Sequence, residues 1–571
     1  MEVWDALSSL EYPRQIFQGN PDSIPKLASW NPENDSIVFI GTNQSPKVIL
    51  NANRKFAISY NTLAYEPQAE YRGPADYFIT NLQTGASHLI LKNQTTNDGF
   101  TGNSPKGNYF HYFKETDWWV YDLTKNTHLN LTKGLNTNFV DLDNDYPDPS
   151  YGYISPGWTS DDKALIVYDK YDIWLLSADG KSKNRITNGR EKKIRFRIAD
   201  DLAPKIRAQG TVDIIIREFD LAKGLIIEAV GEDFKSGYYK WTIKNKLQPL
   251  IYQDSKINRL KSSLNTVNGI IIEQKASVPP AIKLLNLESG KSSLLLQTNQ
   301  QYTQFKTDRV EMIHYKTVKD QNLHGILYYQ SNFQIGKKYP MLVYIYSRQS
   351  KYFHEYNNPT LYSTVGFSPT NYTSDGYFVL YPDIAYVLGE PGKSALNCVE
   401  AAISMVEKKG MVDSNRMGII GHSFGGFEVD YIITQTNRFA AAVAGAAVTD
   451  FTSSYLSINL YSGYSNDWRY ETQQYRMGKS FFENQEQYLN NSPVLLASKI
   501  TTPLLSWSGK EDTSVDWHQN LELHLAMRKL KKTNLFLVYP GQDHTLSNPE
   551  SQKDLTTRIK KWFDYYLKNT N

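Results

Sequence analysis

The chain has 571 residues, enough for two or three domains, and its hydrophobic content of 40% and charged content of 21% are ordinary for a globular protein. Its 62 Lys and Arg residues against 59 Asp and Glu residues give a net charge of +3, which is too balanced to indicate binding to nucleic acid or to an acidic membrane surface. A single cysteine, Cys398, excludes an internal disulfide.

The N-terminal residues, Met1–Ala6, have neither the charged region nor the apolar region of a signal peptide. They resemble the middle of a β-rich domain. We expect that further residues precede them, so whether this domain is complete is left open. The localisation is left open: cytoplasmic by default, or periplasmic if a secretion signal lies upstream. The longest apolar run, Phe439–Val448, is too short to span a membrane.

A loose repeat runs through residues 1 to 303. Each copy has a turn with Pro, Asn, Asp or Gly, then two apolar strands and a polar turn. The spacing of about 45 to 60 residues suits the four-stranded blades of a β-propeller, and about six blades fit here, with a β-sandwich as the alternative. The copies begin near Trp30, Ser104, Trp158, Ala222 and Asn268.

One acidic run, from Asp141 to Asp148, resembles a calcium-binding loop. It has Tyr146 where such a loop needs glycine and Gly152 where it needs glutamate, so we interpret it as a solvated loop between strands. Motifs for zinc or for phosphate binding do not occur in the sequence. We therefore predict neither a metal nor a cofactor.

The pattern changes at about residue 304, which divides the chain into a β-propeller domain, 1–303, and a second domain, 304–571. Val310–Tyr315 and Gly325–Tyr329 predict two antiparallel strands. Tyr339–Tyr346 is almost continuously apolar, as a central strand of a sheet must be. Ser394–Lys408 has helical spacing, with one face that should pack on the sheet: Cys398, Ala401, Ala402 and Met405.

The strongest local motif is Gly421-His422-Ser423-Phe424-Gly425-Gly426. A strand-like run, Arg416–Ile420, precedes it and a helix-like run, Phe427–Ile433, follows it. Strand, tight turn and helix form the context of a nucleophile elbow, in which glycines allow the close approach of neighbouring backbone. We predict that Ser423 is a catalytic nucleophile.

A base and an acid are expected downstream of Ser423, because a serine needs both to become nucleophilic. Thr502–Gly509 and Asn534–Tyr539 predict strands, and Asp512 and His544 lie just past their ends, where α/β folds place their chemistry. The order Ser423, Asp512, His544 is that of an α/β-hydrolase.

Three other residues compete for these roles. His524 has the spacing of a helix-packing residue, and His518 lies in the first turn of the same predicted helix, where it is solvated. Asp543 is the sequence neighbour of His544, and such neighbours rarely face each other well enough to orient the imidazole, so we prefer Asp512.

Together these motifs resemble the prolyl oligopeptidase/dipeptidyl peptidase IV family of serine peptidases. The resemblance rests on Gly410–Asp413, Arg416–Phe427, Gly509–Val515 and Tyr539–His544, and is strong over residues 305–571. It implies a β-propeller that excludes folded proteins, an α/β-hydrolase domain and a peptide substrate. The oligomeric state is left open, with a homodimer as one option.

The family also implies an oxyanion hole. The tyrosine that ends the central strand donates its hydroxyl, here Tyr346, and the backbone N–H of Phe424 is the second donor. The chain departs from the family at Ser347–Ser350, which replaces a glycine-rich continuation, so Tyr344 or a purely structural tyrosine are alternatives.

Substrate recognition in the family falls on the region that corresponds to Phe451–Met477. Its aromatic residues would suit proline or a small apolar residue before the cleaved bond, although several could simply pack the domain. Our candidates are Tyr464, Trp468 and Tyr470.

We therefore expect a serine peptidase of oligopeptidase type. A carboxylesterase or a dipeptidyl aminopeptidase on the same fold is the alternative, because a fold does not fix a substrate. Dipeptidyl peptidases of the family hold the substrate's amine with an adjacent Glu-Glu pair. This chain has no such pair, and Glu232-Asp233, the nearest substitute, lies in a predicted polar turn.

Overall fold

The computed structural model describes residues 1–18, 25–97, 99–148, 151–199, 205–208, 214–263, 266–304, 309–317, 320–459 and 462–568. The chain divides into two compact units. The first comprises Met1–Asn144, Asp148–Glu273 and Ala281–Gln297, and the second comprises Asp145–Pro147, Gln274–Pro280 and Thr298–Asn571.

The first unit is built almost entirely of short strands. Its elements are α1 (Tyr12–Gln18), β1 (Ala28–Asn31), β2 (Ser36–Phe39), β3 (Lys47–Leu50), β4 (Phe56–Tyr60), β5 (Ala75–Asn81), β6 (Ser87–Gln94), β7 (Thr101–Asn103), β8 (Tyr109–Lys114), β9 (Asp117–Asp122), β10 (Thr127–Asn130), β11 (Gly157–Thr159), β12 (Ala164–Tyr168), β13 (Ile173–Ser177), β14 (Lys183–Arg185), α2 (Gly189–Lys192), β15 (Ile194–Ile198), β16 (Lys205–Ala208), β17 (Ile214–Phe219), β18 (Leu225–Gly231), β19 (Ser236–Thr242), β20 (Lys246–Gln253), β21 (Lys256–Ser262), β22 (Asn268–Lys275), β23 (Val278–Asn286) and β24 (Ser292–Gln297).

These strands form propeller-like sheets, as the repeat predicted, and not the two sheets of a sandwich. Four sheets have four strands each, in the orders β3-β4-β5-β6, β10-β9-β8-β7, β15-β18-β19-β20 and β21-β22-β23-β24. A fifth, β14-β13-β12-β11, is extended by β17 and β16, and β1 pairs only with β2 within the described residues.

The alternation that marks a strand in the sequence also sets its burial here. In β18, Leu225, Ile227 and Ala229 are buried, and the residues between them are half-buried, because successive side chains point to opposite faces. Two neighbouring sheets are linked by Asp162, whose carboxylate accepts hydrogen bonds from Ser104 Oγ at 2.6 Å and from the backbone N–H of Lys106 at 2.8 Å.

The second unit alternates strands and helices. Its elements are β25 (Val310–Lys316), β26 (Asn322–Tyr328), β27 (Tyr339–Ile345), α3 (Pro369–Thr373), β28 (Phe378–Pro382), α4 (Pro391–Glu407), β29 (Val412–His422), α5 (Phe424–Gln435), β30 (Ala441–Gly445), α6 (Phe451–Tyr455), α7 (Asp467–Glu471), α8 (Gln485–Asn490), β31 (Leu504–Gly509), α9 (His518–Lys529), β32 (Asn534–Tyr539) and α10 (Pro549–Lys568), with 3-10 turns at Gln300–Gln304, Ser350–Tyr352 and Pro493–Lys499.

Its eight strands form one sheet in the order β25-β26-β28-β27-β29-β30-β31-β32. β26 pairs antiparallel with β25 and β28, and every pair from β28 to β32 is parallel. This is the α/β-hydrolase architecture that the sequence predicted, with the carboxyl ends of the parallel strands on one edge.

The sheet is covered on both faces, so most residues of its central strand β27 are buried. Along β27, Met341 and Val343 belong to one hydrophobic cluster and Leu342 to the other. The first cluster contains the buried face of α4, where Cys398 and Ala402 are buried and Ala401 and Met405 pack at its border. Among the described residues, no helix combines the length and the hydropathy that crossing a membrane requires.

Candidate active site

Ser423 lies on a strained turn between the last residue of β29 and the first residue of α5. Its backbone has φ of +59° and ψ of −122°, a left-handed conformation that side chains rarely adopt. The flanking glycines are required by close contacts, because a Cβ on Gly421 would stand 2.2 Å from the carbonyl oxygen of Gly425, and a Cβ on Gly425 would stand 2.3 Å from that of Ile345. The turn therefore holds the serine at the carboxyl edge of the sheet.

A chain of hydrogen bonds connects Ser423, His544 and Asp512. Ser423 Oγ donates to His544 Nε2 at 2.8 Å, and His544 Nδ1 donates to Asp512 Oδ2 at 2.8 Å. The Asp512 side chain is fully buried, and its other oxygen accepts from the backbone N–H groups of Ser514 and Val515 at 2.8 Å each. These bonds fix the carboxylate so that one oxygen points at the imidazole.

Asp543 has different partners, although it lies next to His544 in the sequence. Its carboxylate accepts from the backbone N–H of Thr513 at 2.9 Å and from the backbone N–H of His544 at 2.7 Å. His518 is exposed and bonds to Asp516, and His524 bonds to Asn534 across the helix-strand interface. The structure thus brings Asp512, not these residues, to the His544 ring.

Tyr346 follows β27 and lies beside the start of α5. Gln474 Nε2 donates to the Tyr346 hydroxyl at 3.1 Å, which leaves the hydroxyl proton free to be donated elsewhere. Burial raises the pKa of Tyr346, so the group keeps that proton at neutral pH. Tyr344, the alternative, instead stacks on Phe367 with ring centroids 5.0 Å apart.

The segment Ser347–Ser350, which departs from the glycine-rich pattern, is fixed by a buried carboxylate. Asp383 Oδ1 accepts from the backbone N–H groups of Gln349 at 2.7 Å and Ser350 at 2.8 Å. In this chain, hydrogen bonds to Asp383 hold the backbone after the central strand at the place where the family pattern has glycines.

Comparison with known proteins relates the part of the chain that contains these residues to one family. Residues 389–570, which contain the elbow and the hydrogen-bonded residues His544 and Asp512, match the prolyl oligopeptidase family. They form a prolyl oligopeptidase family domain.

The relatives of this family domain are peptidases. The chain is 25% identical to the uncharacterized peptidase YuxL of Bacillus subtilis over 59% of this chain and 51% of that protein. It is 25% identical to the lasso peptide isopeptidase AtxE2 of Asticcacaulis excentricus over 52% of this chain and 43% of that protein. The chain therefore spans about half the length of these relatives.

A solved structure shares the fold along most of the chain. A puromycin-hydrolyzing peptidase of Mycobacterium tuberculosis superposes with a TM-score of 0.62 and 14% identity, covering 95% of this chain and 83% of that chain. At this identity the likeness shows the fold alone: propeller-like sheets followed by an α/β-hydrolase domain.

His422 is a residue of the family domain that the sequence reasoning missed. Its Nε2 donates to the backbone carbonyl of His544 at 2.8 Å, and its ring stacks on Trp507 with centroids 5.3 Å apart. Burial lowers the pKa of His422 to about 3, so the ring is neutral. His422 therefore supports the loop that carries His544. In the sequence, the only sign of this role is its position next to Ser423.

A buried acid beneath the elbow was also missed. Glu428, one turn into α5, accepts a hydrogen bond from the Tyr386 hydroxyl at 2.5 Å, and burial raises its pKa to about 8. Arg476 lies 3.9 Å from the centroid of the Tyr386 ring and 5.6 Å from that of Phe424. Arg476 also pairs at 2.7 Å with Asp145 of the same unit, so this carboxylate of the acidic run is paired and not merely solvated.

The three substrate-binding candidates occupy different environments. Tyr470 is fully buried inside an aromatic cluster and stacks on Tyr475 with ring centroids 4.4 Å apart. Its prediction as a pocket wall is therefore wrong, because no part of the ring is exposed to a substrate. Tyr464 and Trp468 are half-buried. Within the described residues, no group of three or more His, Cys, Asp or Glu side chains is arranged to hold a metal ion.

Proposed function

We propose that the chain is a serine peptidase that cleaves short peptides through an acyl-enzyme on Ser423. The observation that carries the proposal is the hydrogen-bonded series Asp512, His544, Ser423 on a strained elbow. The comparisons support the coarser part, a serine peptidase of the prolyl oligopeptidase family.

In the proposed mechanism, Ser423 Oγ attacks the carbonyl carbon of the substrate while His544 Nε2 accepts its proton. Asp512 holds the imidazole in the required tautomer and stabilises its charge. The oxyanion accepts hydrogen bonds from the Tyr346 hydroxyl and the Phe424 backbone N–H. His544 then protonates the leaving nitrogen as the C–N bond breaks, and a water molecule, activated by the same imidazole, releases the acyl group.

A preference for proline or a small apolar residue before the cleaved bond is part of the proposal. Tyr464 and Trp468, the two candidates that are half-buried rather than fully buried, are the aromatic residues proposed to form the wall of this pocket. Such a wall favours a compact apolar group through contact area and excludes charged side chains.

Labelling with a fluorophosphonate tests the nucleophile. Wild-type protein should be labelled, whereas Ser423→Ala should not be labelled and should lose turnover by several orders of magnitude. Ser404→Ala, an exposed serine on α4, is the matched control and should behave as wild type. Labelling of Ser423→Ala would overturn the assignment.

A second assay separates a peptidase from a carboxylesterase. A peptide amide and the ester with the same acyl group should both be hydrolysed if the enzyme is a peptidase, because the leaving nitrogen receives a proton from His544. Hydrolysis of the ester alone would show that the chain is an esterase.

A further inference from the structure

A cavity of about 660 Å³ opens beside the nucleophile, entirely within the second unit. Ser423, His422 and His544 line one end of it. The rest is lined by residues of β26, β27 and β28 and of the segment that follows β27. The proposed mechanism does not yet use this space.

The position of the cavity relative to His544 indicates on which side of the cleaved bond the bound part of a substrate would lie. His422 and Phe424 flank Ser423 and point in different directions: the Phe424 ring packs in the aromatic cluster, whereas His422 lines the cavity. His544 lines the cavity as well, and in acyl transfer its Nε2 must hand a proton to the leaving nitrogen. A group in this cavity therefore lies on the leaving side of the cleaved bond.

The wall of the cavity is aromatic. Tyr344 stacks on Phe367 with centroids 5.0 Å apart and packs against Tyr381 at 4.9 Å, and Tyr346 and Tyr352 continue this surface. Aromatic rings of this kind bind another ring through stacking and edge contacts as well as through burial of apolar area. A flat aromatic side chain is the group that gains most from such a wall.

The charge of the cavity restricts the occupant further. Among the described residues that line it, none is Lys or Arg, and Glu355 supplies the one acidic side chain. Because His422 is neutral, an acidic side chain entering the cavity would find no cation to offset its desolvation.

We propose that this cavity is a leaving-group subsite that prefers an aromatic side chain, Phe, Tyr or Trp, on the residue directly after the cleaved bond. The proposal deepens the function proposed above and rests on it. It assigns specificity on the leaving side to the tyrosine-lined wall, independently of the residue that precedes the bond.

The test uses internally quenched peptides with one acyl half, proline before the cleaved bond, and Phe, Ala or Asp after it. We expect kcat/KM for the Phe peptide to exceed that for the Ala peptide by about tenfold. The Asp peptide should be cleaved more slowly than the Ala peptide, by about threefold or more.

Variants of Tyr352 connect the preference to the wall. Tyr352→Ala should lower the Phe-to-Ala ratio of kcat/KM by about threefold, and Tyr352→Phe should retain it. A partial loss of folded protein does not change this ratio, because it lowers the measured kcat/KM of both peptides by the same factor. Tyr565→Ala, an exposed tyrosine of α10 outside the cavity, is the control and should leave the ratio unchanged.

The outcomes separate this inference from the proposed function. Cleavage of all three peptides at similar rates, or a ratio that Tyr352→Ala leaves intact, would overturn the subsite and leave the peptidase standing. If none of the three peptides were cleaved, both the subsite and the proposed peptidase function would be overturned.

Discussion

Asp512 and Asp543 both have carboxylates close to His544, and their hydrogen bonds give them different tasks. Asp512 accepts from the imidazole Nδ1, whereas Asp543 accepts from backbone N–H groups of Thr513 and of His544 itself. One carboxylate can orient the ring, and the other can only hold the two loops together.

Replacing each aspartate by asparagine should separate these tasks. Asp512→Asn should lower kcat by about 10⁴, because an amide at this position favours the imidazole tautomer that cannot accept the serine proton. Asp543→Asn should lower kcat by less than about tenfold, and steady-state kinetics on one peptide measure both. If Asp543→Asn had the larger effect, Asp512 would not be the orienting acid.

Glu428 gives the stability of the protein a pH dependence. Its folded-state pKa of about 8 lies above the ordinary value of 4.5, so the folded protein binds the proton more tightly than the unfolded chain. The stability from this carboxyl is fully present below pH 4.5 and is lost as the pH rises through 8.

Glu428→Gln should remove this dependence, since the amide remains neutral at every pH. The melting temperature of the variant minus that of the wild type should increase from pH 5 to about pH 8 in thermal denaturation and then level off, because above the folded-state pKa the carboxyl is ionised in both states. Glu486→Gln, in the first turn of α8, is an exposed control for which no such trend is expected. A difference that stays constant with pH would show that Glu428 is ionised in the folded protein.

At the scale of elements, the elbow is a point of close backbone approach between β29, α5 and β27. A Cβ added at Gly425 would collide with the backbone carbonyl of Ile345 at the end of β27, and one added at Gly421 would collide with that of Gly425. Neither contact can relax by turning a side chain, because the obstructing atoms belong to the backbone. The geometry of Ser423 thus depends on three elements at once.

Gly425→Ala should therefore displace α5 from β27. We expect loss of fluorophosphonate labelling and a larger fall in melting temperature than for Gly336→Ala. Gly336 has φ of +85° and open space around its Cβ position, so its replacement costs only about 1 kcal/mol of backbone strain. Equal effects of the two substitutions would mean that the close contact at the elbow is unimportant.

At the scale of the whole molecule, the question is how the ends of a substrate are recognised. The sequence contains no Glu-Glu pair. Glu232 and Asp233 are 47% and 55% exposed in their side chains and pair with Lys193 and Lys235. A buried ammonium group needs a carboxylate partner to offset its desolvation, and this pair is engaged elsewhere.

Peptides with a blocked N-terminus should accordingly be cleaved at rates comparable to those of their free-amine counterparts. A proline-containing chromogenic peptide, assayed with and without an N-terminal acetyl group, measures this directly. A preference for the free amine of a hundredfold, about 2.7 kcal/mol, would contradict the prediction and indicate an anchor for the amine.

Several features could be predicted from the sequence because the forces that create them act over short distances. The glycines around Ser423 indicate a close backbone approach. The apolar run Tyr339–Tyr346 indicates a strand that is covered on both faces, and the alternation of apolar and polar residues in the first half of the chain indicates strands that are covered on one face. The chain order of Ser423, Asp512 and His544 follows from the order of the strands that they terminate.

The tertiary structure alone decided the features that depend on contacts between distant residues. Gln474 reaches Tyr346 across 128 positions, and His422 reaches the carbonyl of His544 across 122, so no local pattern records either bond. Tyr470 and Tyr344 are both aromatic residues in apolar surroundings. Packing buries Tyr470 completely but leaves Tyr344 on the wall of a cavity, because burial is set by which elements meet at each ring and not by the ring itself.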